Sequence, residues 1–158
     1  MHSPIEIKAV ALDVDGVLTD GTFLWDAHGS EQKKFHFRDV MGISRASKRG
    51  IRFALISGER NGIVDRIAGK FGITDIHQGC SDKAAALISF SDKSGIPLNQ
   101  IAFMGDDIND LEVLRIAGLS AAPADAHSSV LAIARFISVK NGGCGAVRDF
   151  LDHLGFVL

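Results

Sequence analysis

The chain has 158 residues, 46% of them hydrophobic, which suffices for one buried core and predicts a single domain over residues 1–158. Its 17 basic and 19 acidic residues nearly cancel, so no broad charged surface predicts binding to nucleic acid, and no apolar run approaches the roughly 20 residues that span a membrane. Two cysteines, Cys80 and Cys144, and the lack of a basic, apolar leader predict a reduced, cytoplasmic protein.

Short apolar runs alternate along the chain with longer segments of helical periodicity. The predicted strands are residues 7–12, 51–56, 75–77, 101–104, 119–121 and 136–139. The predicted helices are residues 40–48, 62–71, 83–93, 110–116, 128–134 and 146–154. This alternation is typical of an α/β protein in which crossover helices join the strands of a parallel sheet.

Residues 21–37 break the alternation. Two short strand-like runs, 22–25 and 33–37, flank the turn-forming residues 26–30 and predict a hairpin. Because the hairpin directly follows the first strand, we expect it outside the carboxyl end of that strand, where sheets of this kind bind ligands. The segment is therefore predicted to be a flap over a ligand site.

Two acidic residues, Asp13 and Asp15, follow the first predicted strand and precede Gly16. In an extended chain alternate side chains point the same way, so both carboxylates are expected in one pocket, and Gly16 lets the chain turn. Like charges at such proximity indicate a bound cation, an acid/base role, or both. The alternative is that the two acids cap a turn or a helix.

Three more acids, Asp106, Asp107 and Asp110, follow the fourth predicted strand of the sheet. Because the carboxyl ends of parallel strands share one edge, these acids can meet Asp13 and Asp15 although they lie far away in sequence. A cluster of carboxylates without histidine or cysteine suits a hard cation such as magnesium. Helix capping is the competing interpretation for each of the three.

Two further strand ends offer groups that bind phosphate. Ser57 and Gly58 follow the second predicted strand, where a hydroxyl and backbone N–H groups at a helix start can bind an anion. Lys83 begins the next predicted helix, where its charge opposes the helix dipole, so we expect another group to hold it. A solvated lysine and a capping serine are the alternatives.

Together these residues resemble, in order and spacing, the four motifs of the haloacid dehalogenase superfamily of phosphatases. Three longer segments resemble the capless branch that contains 3-deoxy-D-manno-octulosonate 8-phosphate phosphatases and nonulosonate 9-phosphate phosphatases: residues 13–21 (DVDGVLTDG), 78–83 (QGCSDK) and 142–148 (GGCGAVR). The resemblance covers nearly the whole chain. It implies a Rossmann-like three-layer sandwich with a mostly parallel central sheet, a β-hairpin flap and no large cap domain.

The resemblance implies a mechanism for the carboxylates. Asp13 would attack phosphorus and form an aspartyl-phosphate intermediate, which divides one difficult displacement into two easier steps. Asp15 would protonate the departing sugar oxygen and then deprotonate the hydrolytic water. Asp13, Asp106 and the backbone carbonyl of Asp15 would hold Mg²⁺.

The resemblance also assigns the remaining polar residues of the site. Ser57, Gly58 and Lys83 would bind the phosphoryl oxygens of the substrate. Asp107 and Asp110 would lie behind these residues and orient water and Lys83.

Without a cap domain, another element must close the site. The resemblance implies a homotetramer in which the hairpin of one subunit covers the site of a neighbour. Arg148 in the glycine-rich tail would enter the same environment and bind a substrate carboxylate. The alternative is that the tail is only a glycine-rich turn before the last helix.

The substrate preference depends on the residue after Ser57 and Gly58. Octulosonate phosphatases of this family usually have arginine there, whereas this chain has Glu59. A glutamate in that place resembles the nonulosonate 9-phosphate phosphatases, where it faces the sugar together with a lysine that Lys70 matches. We therefore expect a nonulosonate 9-phosphate of the KDN or sialic acid type, with 3-deoxy-D-manno-octulosonate 8-phosphate as the alternative.

Other classes of function compete with a phosphatase. The same fold occurs fused to sugar-nucleotide synthetases as a non-catalytic tetramerisation module, but here the whole set of acids is present. A dehalogenase is disfavoured because it has no alkoxide for Asp15 to protonate. The glycine-rich tail does not complete a dinucleotide-binding fingerprint, since Arg148 stands where its last glycine would be.

Overall fold

The computed structural model of the protein describes residues 6–158 and is built on a central sheet. In chain order the strands are β1 (Ala9–Leu12), β2 (Leu24–Trp25), β3 (Glu31–Gln32), β4 (Arg52–Ile56), β5 (Asp75–His77), β6 (Ile101–Met104), β7 (Leu119–Ala122) and β8 (Phe136–Ile137). The helices are α1 (Phe37–Lys48), α2 (Gly62–Phe71), α3 (Lys83–Ser94), α4 (Leu111–Ile116), α5 (Ser128–Leu131) and α6 (Ala146–His153). Within residues 6–158, no helix is both long enough and apolar enough to cross a membrane.

Six strands form the central sheet, in the order β5-β4-β1-β6-β7-β8, and each neighbouring pair is parallel. The first strand lies in the middle, with Leu12 aligned with Leu55 on one side and with Met104 on the other. The chain segments that leave β1, β4 and β6 therefore emerge side by side at one edge of the sheet, as expected for a parallel sheet.

The two faces of the sheet carry separate hydrophobic clusters. On β1, Val10 and Leu12 pack toward α1, α2 and α6, whereas Ala9 and Ala11 pack toward α3, α4 and α5. Successive side chains of β1 thus point to opposite faces of the sheet, and both sets are apolar because helices cover both faces. The predicted α/β three-layer sandwich is confirmed, and within residues 6–158 the segment between β1 and α1 holds a hairpin in place of a large cap.

The hairpin is present, but its second strand lies earlier than predicted. Trp25 pairs with Glu31, so the strand begins there and not at residue 33. The reason is the turn: the Asp26 carboxylate accepts hydrogen bonds from the backbone N–H groups of His28 (2.8 Å) and Ser30 (2.9 Å). This Asx-type turn reverses the chain over few residues. We call residues 21–35 the flap.

The first helix starts three residues before its predicted position. Phe37 opens α1 because the ring Nδ1 of His36 accepts a hydrogen bond from the backbone N–H of Arg38 (3.2 Å) and so caps the helix. Phe37, predicted as the end of the flap strand, is therefore helical. The predicted helix at residues 128–134 is also shorter, ending at Leu131.

Candidate active site

A cavity of about 480 Å³ opens at the edge of the sheet where β1, β4 and β6 end. Its lining consists mostly of polar side chains from these strand ends, with one aromatic ring from the flap. The lining residues are Asp13, Asp15, Gly21, Phe23, Ser57, Gly58, Glu59, Cys80, Ser81, Lys83, Asp106, Asp107 and Asn109. The structure thus brings together all but three of the predicted site residues, the exceptions being Asp110, Lys70 and Arg148.

The segment after β1 forms a tight turn that directs Asp13 into this cavity. The Val14 carbonyl accepts hydrogen bonds from the backbone N–H groups of Leu18 (2.9 Å) and Thr19 (3.1 Å), and Asp13 Oδ1 accepts one from Val14 N–H (2.8 Å). Gly16 has φ +88°, and a Cβ atom at this position would lie 1.9 Å from Asp106 Oδ2. Only glycine lets the two acidic loops approach this closely.

Lys83 is buried between two carboxylates. Its Nζ lies 3.0 Å from Asp13 Oδ1 and 2.7 Å from Asp110 Oδ1. Burial opposes the charge of this ammonium, but the two carboxylates outweigh it and raise the pKa of Lys83. These carboxylates are the partners that a lysine in the first turn of a helix was expected to need.

Asp110 lies beneath the cavity and holds the loop after β6. It is fully buried, and its Oδ2 accepts hydrogen bonds from the backbone N–H groups of Asp106 (2.8 Å) and Asp107 (3.3 Å). The carboxylate of Asp107 in turn accepts one from Ile108 N–H (2.7 Å). Capping, which was the alternative interpretation, is therefore what Asp107 does, while Asp110 connects this loop to Lys83.

The carboxylate cluster fits a hard divalent cation. One oxygen from each of Asp13, Asp106 and Asp110 can be chosen so that all lie within 4.8 Å of one another. Burial, followed by the charge of Asp110, raises the pKa of Asp13 well above its usual range. Burial also raises the pKa of Asp106 to about 6. Carboxylates this close together disfavour joint ionisation, and a set of oxygen donors alone is one that Mg²⁺ accepts.

Asp110 differs from the other two carboxylates because both of its oxygens already accept hydrogen bonds, from Lys83 and from the backbone. Asp13 and Asp106 are therefore the side chains that would hold the metal. This agrees with the ligands inferred from the sequence, to which Asp15 was predicted to add only its backbone carbonyl.

The loop after β4 forms the opposite wall of the cavity. Ser57 is buried, and its hydroxyl oxygen accepts a hydrogen bond from the backbone N–H of Glu59 (3.2 Å). Its backbone is fixed by bonds to His77 and Cys80. Glu59 lies two residues before Asn61, which caps α2, and so is not part of that helix. Ser57, Gly58 and Lys83 thus face one space that an anion can enter.

Sequence reasoning missed one charged residue of the site, Lys33 on the flap. Its Nζ lies 2.5 Å from Asp15 Oδ1, and its side chain is 1% exposed. The only sequence signal for it was its place in the predicted hairpin, because the neighbouring Lys34 has the same chemistry and is solvated. Asn109 also lines the cavity and was not predicted.

Two predicted substrate-binding residues lie elsewhere in this chain. Lys70 is exposed on α2. Arg148 lines a separate cavity of about 220 Å³, and its Nε lies 3.0 Å from both carboxylate oxygens of Asp152. Neither Lys70 nor Arg148 is among the described residues that line the larger cavity. Their role in substrate binding stays a prediction.

The glycine-rich tail supports the turn after β1. Gly143 N–H donates a hydrogen bond to the Val17 carbonyl (3.0 Å), and a Cβ atom on Gly142 would lie 1.8 Å from the Gly16 carbonyl oxygen. The tail is therefore a turn before α6 that packs against the loop carrying Asp13.

Comparisons with known proteins place this site in a family. The family of haloacid dehalogenase-like hydrolases matches residues 59–151. The 3-deoxy-D-manno-octulosonate 8-phosphate phosphatase of Escherichia coli is 38% identical over 148 residues, which is 94% of this chain and 79% of that protein. The enzyme of the same name from Yersinia pestis is 38% identical over 146 residues, 92% of this chain and 78% of that protein.

Solved structures agree with these sequence relatives. The 3-deoxy-D-manno-octulosonate 8-phosphate phosphatase from Moraxella catarrhalis, in complex with magnesium ion, phosphate ion and KDO, superposes with a TM-score of 0.91 at 38% identity, covering 94% of this chain and 85% of that one. The cobalt-bound deoxy-D-mannose-octulosonate 8-phosphate phosphatase from Haemophilus influenzae gives a TM-score of 0.91 at 36% identity, covering 94% and 87%.

Proposed function

This chain belongs to the haloacid dehalogenase-like hydrolases, and from that premise we propose that its substrate is 3-deoxy-D-manno-octulosonate 8-phosphate. The protein is a magnesium-dependent phosphoric monoester hydrolase that acts on sugar phosphates. The main support for this eight-carbon substrate is the 38% identity, over 94% of the chain, to an enzyme that is named a 3-deoxy-D-manno-octulosonate 8-phosphate phosphatase. The comparisons thus favour this alternative over the nonulosonate that we preferred from the sequence.

Asp13 is the nucleophile of the proposed reaction. Its carboxylate attacks the phosphorus of the substrate, the bond from phosphorus to the sugar oxygen breaks, and an acyl phosphate forms on Asp13. Asp13 suits this role because it sits at the cavity floor, 3.0 Å from the ammonium of Lys83. Asp13 and Asp106 would hold Mg²⁺, which would supply positive charge to offset the negative charge of the nucleophile and the phosphoryl group.

Asp15 is the acid and base of the proposed reaction. It lines the same cavity, and its side chain is 23% exposed, compared with 7% for Asp13. This more open position suits a group that gives a proton to the leaving sugar oxygen and then takes one from a water molecule. That water attacks the phosphorus of the intermediate, which frees inorganic phosphate and restores Asp13.

The phosphoryl oxygens are bound from the opposite wall. Ser57 offers its hydroxyl, Gly58 its backbone N–H, and Lys83 its positive charge. Since Asp110 fixes Lys83 from below at 2.7 Å, the ammonium is already in place before the substrate arrives. Preorganised charge of this kind stabilises a transition state without further reorganisation.

The proposed substrate is tested with a panel of phosphate esters. Release of inorganic phosphate is measured with 3-deoxy-D-manno-octulosonate 8-phosphate, a nonulosonate 9-phosphate and 4-nitrophenyl phosphate, each with Mg²⁺ and with a chelator. We expect the eight-carbon ester to give the highest kcat/KM and the chelator to stop turnover of all three. A preference for the nine-carbon ester would overturn the assignment.

The nine-carbon substrate remains a second candidate because Glu59 lines the cavity. If Glu59 accepts hydrogen bonds from sugar hydroxyls, Glu59→Ala leaves those hydroxyls without a partner. The free-energy cost is about 1 to 3 kcal/mol for one unpaired group. That range corresponds to a loss of roughly 5-fold to 150-fold in kcat/KM for the nonulosonate ester, with little change for 4-nitrophenyl phosphate. Glu112→Ala is the control, since Glu112 is an exposed acid paired with Arg115. Equal effects of Glu59→Ala on the two esters would remove this candidate.

The assembly proposed for the enzyme is a homotetramer in which flaps cover neighbouring sites. It is supported by the exposed apolar side chains of the flap, Phe23 (51%), Leu24 (59%) and Trp25 (64%), and by Phe37 (70%) next to it. Lys70 and Arg148 would then act only in the site of a neighbouring subunit. Light scattering during gel filtration tests this assembly, and an active monomer would contradict it.

The cytoplasm is the proposed compartment. Cys80 and Cys144 are both free thiols, as expected where reductants keep cysteines unpaired.

A further inference from the structure

The flap inserts one charged side chain into the site of its own chain. Lys33 lies on the flap, yet its side chain is 1% exposed, and its ammonium is 2.5 Å from Asp15 Oδ1. The adjacent Lys34 has a side chain that is 84% exposed and pairs more loosely with Asp20, at 3.4 Å. Burying an ammonium is costly unless a partner compensates for the lost water. The partner of Lys33 is the proposed acid and base of the reaction.

The surroundings of Lys33 complete its burial. The ring of Phe23 lies under the ammonium, with 4.9 Å between Nζ and the ring centroid, which is the geometry of a cation–π contact. Phe23 also stacks on Trp25 at 5.4 Å between centroids. The ring of Phe23, just before β2, therefore supports Lys33, just after β3.

A second contact anchors the flap on the opposite side of the cavity. Glu31 accepts a hydrogen bond from the side-chain amide of Asn61, the residue that caps α2. The flap thus bridges two strand-end loops, reaching Asp15 after β1 through Lys33 and the end of the β4 loop through Glu31. Only the first of these contacts touches a residue with a proposed chemical role.

The contacts of Asp15 determine which of its oxygens is available. Within residues 6–158, Lys33 binds Oδ1 and the hydroxyl of Thr19 approaches the same oxygen at 3.5 Å. Oδ2 is consequently the oxygen that remains to exchange a proton with the leaving group or with water.

We propose that Lys33 is a positioning residue for the reaction: by binding Asp15 Oδ1 it couples seating of the flap on its own chain to correct placement of the acid and base, while the exposed Leu24 and Trp25 stay free to cover a neighbouring site. The proposal rests on phosphatase activity and on the role proposed for Asp15, not on the identity of the sugar. With the flap open, Asp15 loses its ion-pair partner and its orientation. The flap therefore contributes to catalysis by orienting Asp15, in addition to covering a cavity.

Leaving-group dependence separates this role from a structural one. A sugar alkoxide needs a proton as it departs, whereas 4-nitrophenolate leaves without one, so misplacing Asp15 affects the sugar ester more. General acid–base catalysis contributes about 10²-fold to 10⁴-fold, and we expect Lys33→Met to lose about 10-fold to 100-fold in kcat/KM with the sugar phosphate on which the wild type is most active. The ratio kcat/KM is compared because it reports phosphoryl transfer to Asp13, whereas the later hydrolysis of the intermediate uses Asp15 alike for both esters. The loss with 4-nitrophenyl phosphate should be under about threefold.

Three further variants control the experiment. Lys34→Met makes the same substitution at the exposed neighbour and should stay within about twofold of wild type on both esters. Lys33→Arg keeps the charge and should recover part of the activity on the sugar ester. Glu31→Gln weakens the other anchor of the flap but leaves the Lys33–Asp15 pair in place, so it should lower kcat/KM with the sugar ester less than Lys33→Met does.

Hydrogen exchange provides a readout that is independent of turnover. Amides of residues 21–35 should exchange faster in Lys33→Met than in Lys34→Met, at equal melting temperatures. Equal loss of kcat/KM on the two esters, or exchange in the flap that matches wild type, would overturn the proposal. If the wild type prefers a different sugar phosphate, the substrate assignment fails while the comparison of lysine variants on that ester still decides the role of Lys33.

Discussion

The strand-end loops and the flap are built in opposite ways. The loops after β1 and β6 bury Asp13, Lys83 and Asp110 in a chain of contacts of 3.0 Å or less. The flap is a hairpin of two-residue strands in which Phe23 and Trp25 are more than half exposed, and its partly buried polar contacts to the loops include those of Lys33 with Asp15 and of Glu31 with Asn61. The parallel sheet thus holds the phosphate chemistry rigidly, while cover and recognition of the sugar fall to an element with few internal contacts.

The largest expected effect comes from removing the nucleophile in the rigid region. Asp13→Asn should lower kcat by roughly 10⁴-fold to 10⁶-fold on every ester, because an amide is a poor nucleophile and a weaker metal ligand. The variant should still fold, which circular dichroism and thermal melting check. Substantial residual turnover would assign the nucleophile to another residue.

A pair of glycine variants compares the two regions directly. Gly16 and Gly29 have similar positive φ angles, +88° and +83°, so alanine strains the backbone of both by about 1 kcal/mol. At Gly16 the new Cβ would meet Asp106 Oδ2 at 1.9 Å, whereas at Gly29 nothing lies within 4 Å. We expect Gly16→Ala to lower kcat/KM by about 100-fold or more through the displaced Asp106, and Gly29→Ala by about twofold at most.

The control for this pair is stability. Both variants should lower the free energy of unfolding by similar amounts through backbone strain, apart from the added clash at Gly16, so melting temperatures separate folding from function. Similar kinetic losses in the two variants would show that the acidic loops are not the more tightly constrained region.

The metal site should respond to pH. Burial raises the pKa of Asp106 from its ordinary 3.8 to about 6 in the metal-free protein, so protons compete with Mg²⁺ below that pH. Affinity for Mg²⁺, measured by calorimetry, should fall by up to about tenfold for each pH unit below 6 through Asp106, and protonation of Asp13, whose pKa burial also raises, should add to the fall. A flat affinity between pH 5 and 7 would contradict this role for Asp106.

The raised pKa of Asp106 also determines how the stability of the protein changes with pH. Between pH 3.8 and about 6 the metal-free folded protein holds a proton on Asp106 that the unfolded chain has released. The free energy of unfolding should therefore decrease as pH rises through this window, and the raised pKa of Asp13 acts in the same direction. Saturating Mg²⁺ should oppose the decrease, which denaturant titrations with and without the metal can measure.

The smallest expected effect concerns the apolar surface of the flap. Trp25→Ser should reduce association of subunits while leaving hydrolysis of 4-nitrophenyl phosphate by each subunit within about threefold, because the phosphate groups of the site lie on other loops. Nearby, Thr22→Ser provides a control, since Thr22 is exposed and serine keeps the hydroxyl that donates to the Asp20 carboxylate. Sedimentation velocity gives the assembly, and an unchanged sedimentation coefficient for Trp25→Ser would place the subunit interface elsewhere.

What the sequence predicted well follows from short-range rules. The alternation of Asp13 and Asp15 at a strand end, together with the shared edge of a parallel sheet, was sufficient to bring Asp13 and Asp106 into one cavity. Lys83 was also predictable, because a lysine in the first turn of a helix requires a nearby anion.

What the sequence did not predict depends on tertiary contacts. Lys33 and Lys34 are adjacent and chemically equal, and only the register of the hairpin decides which is buried. The second strand was predicted at residues 33–37, whereas the side chain of Asp26 closes the turn earlier and the strand begins at Glu31. The sugar was inferred from Glu59 alone, and the relatives favour the other substrate because they compare the whole chain.

The central claim, that phosphate passes through Asp13, can be tested by trapping the intermediate. Enzyme, Mg²⁺ and 3-deoxy-D-manno-octulosonate 8-phosphate are mixed, quenched in acid within milliseconds, digested and analysed by mass spectrometry. We predict one phosphate on the peptide that contains Asp13, and none in Asp13→Asn or without Mg²⁺. Phosphate trapped on another residue, or full turnover with no trapped phosphate under conditions where the first step is fast, would contradict the account.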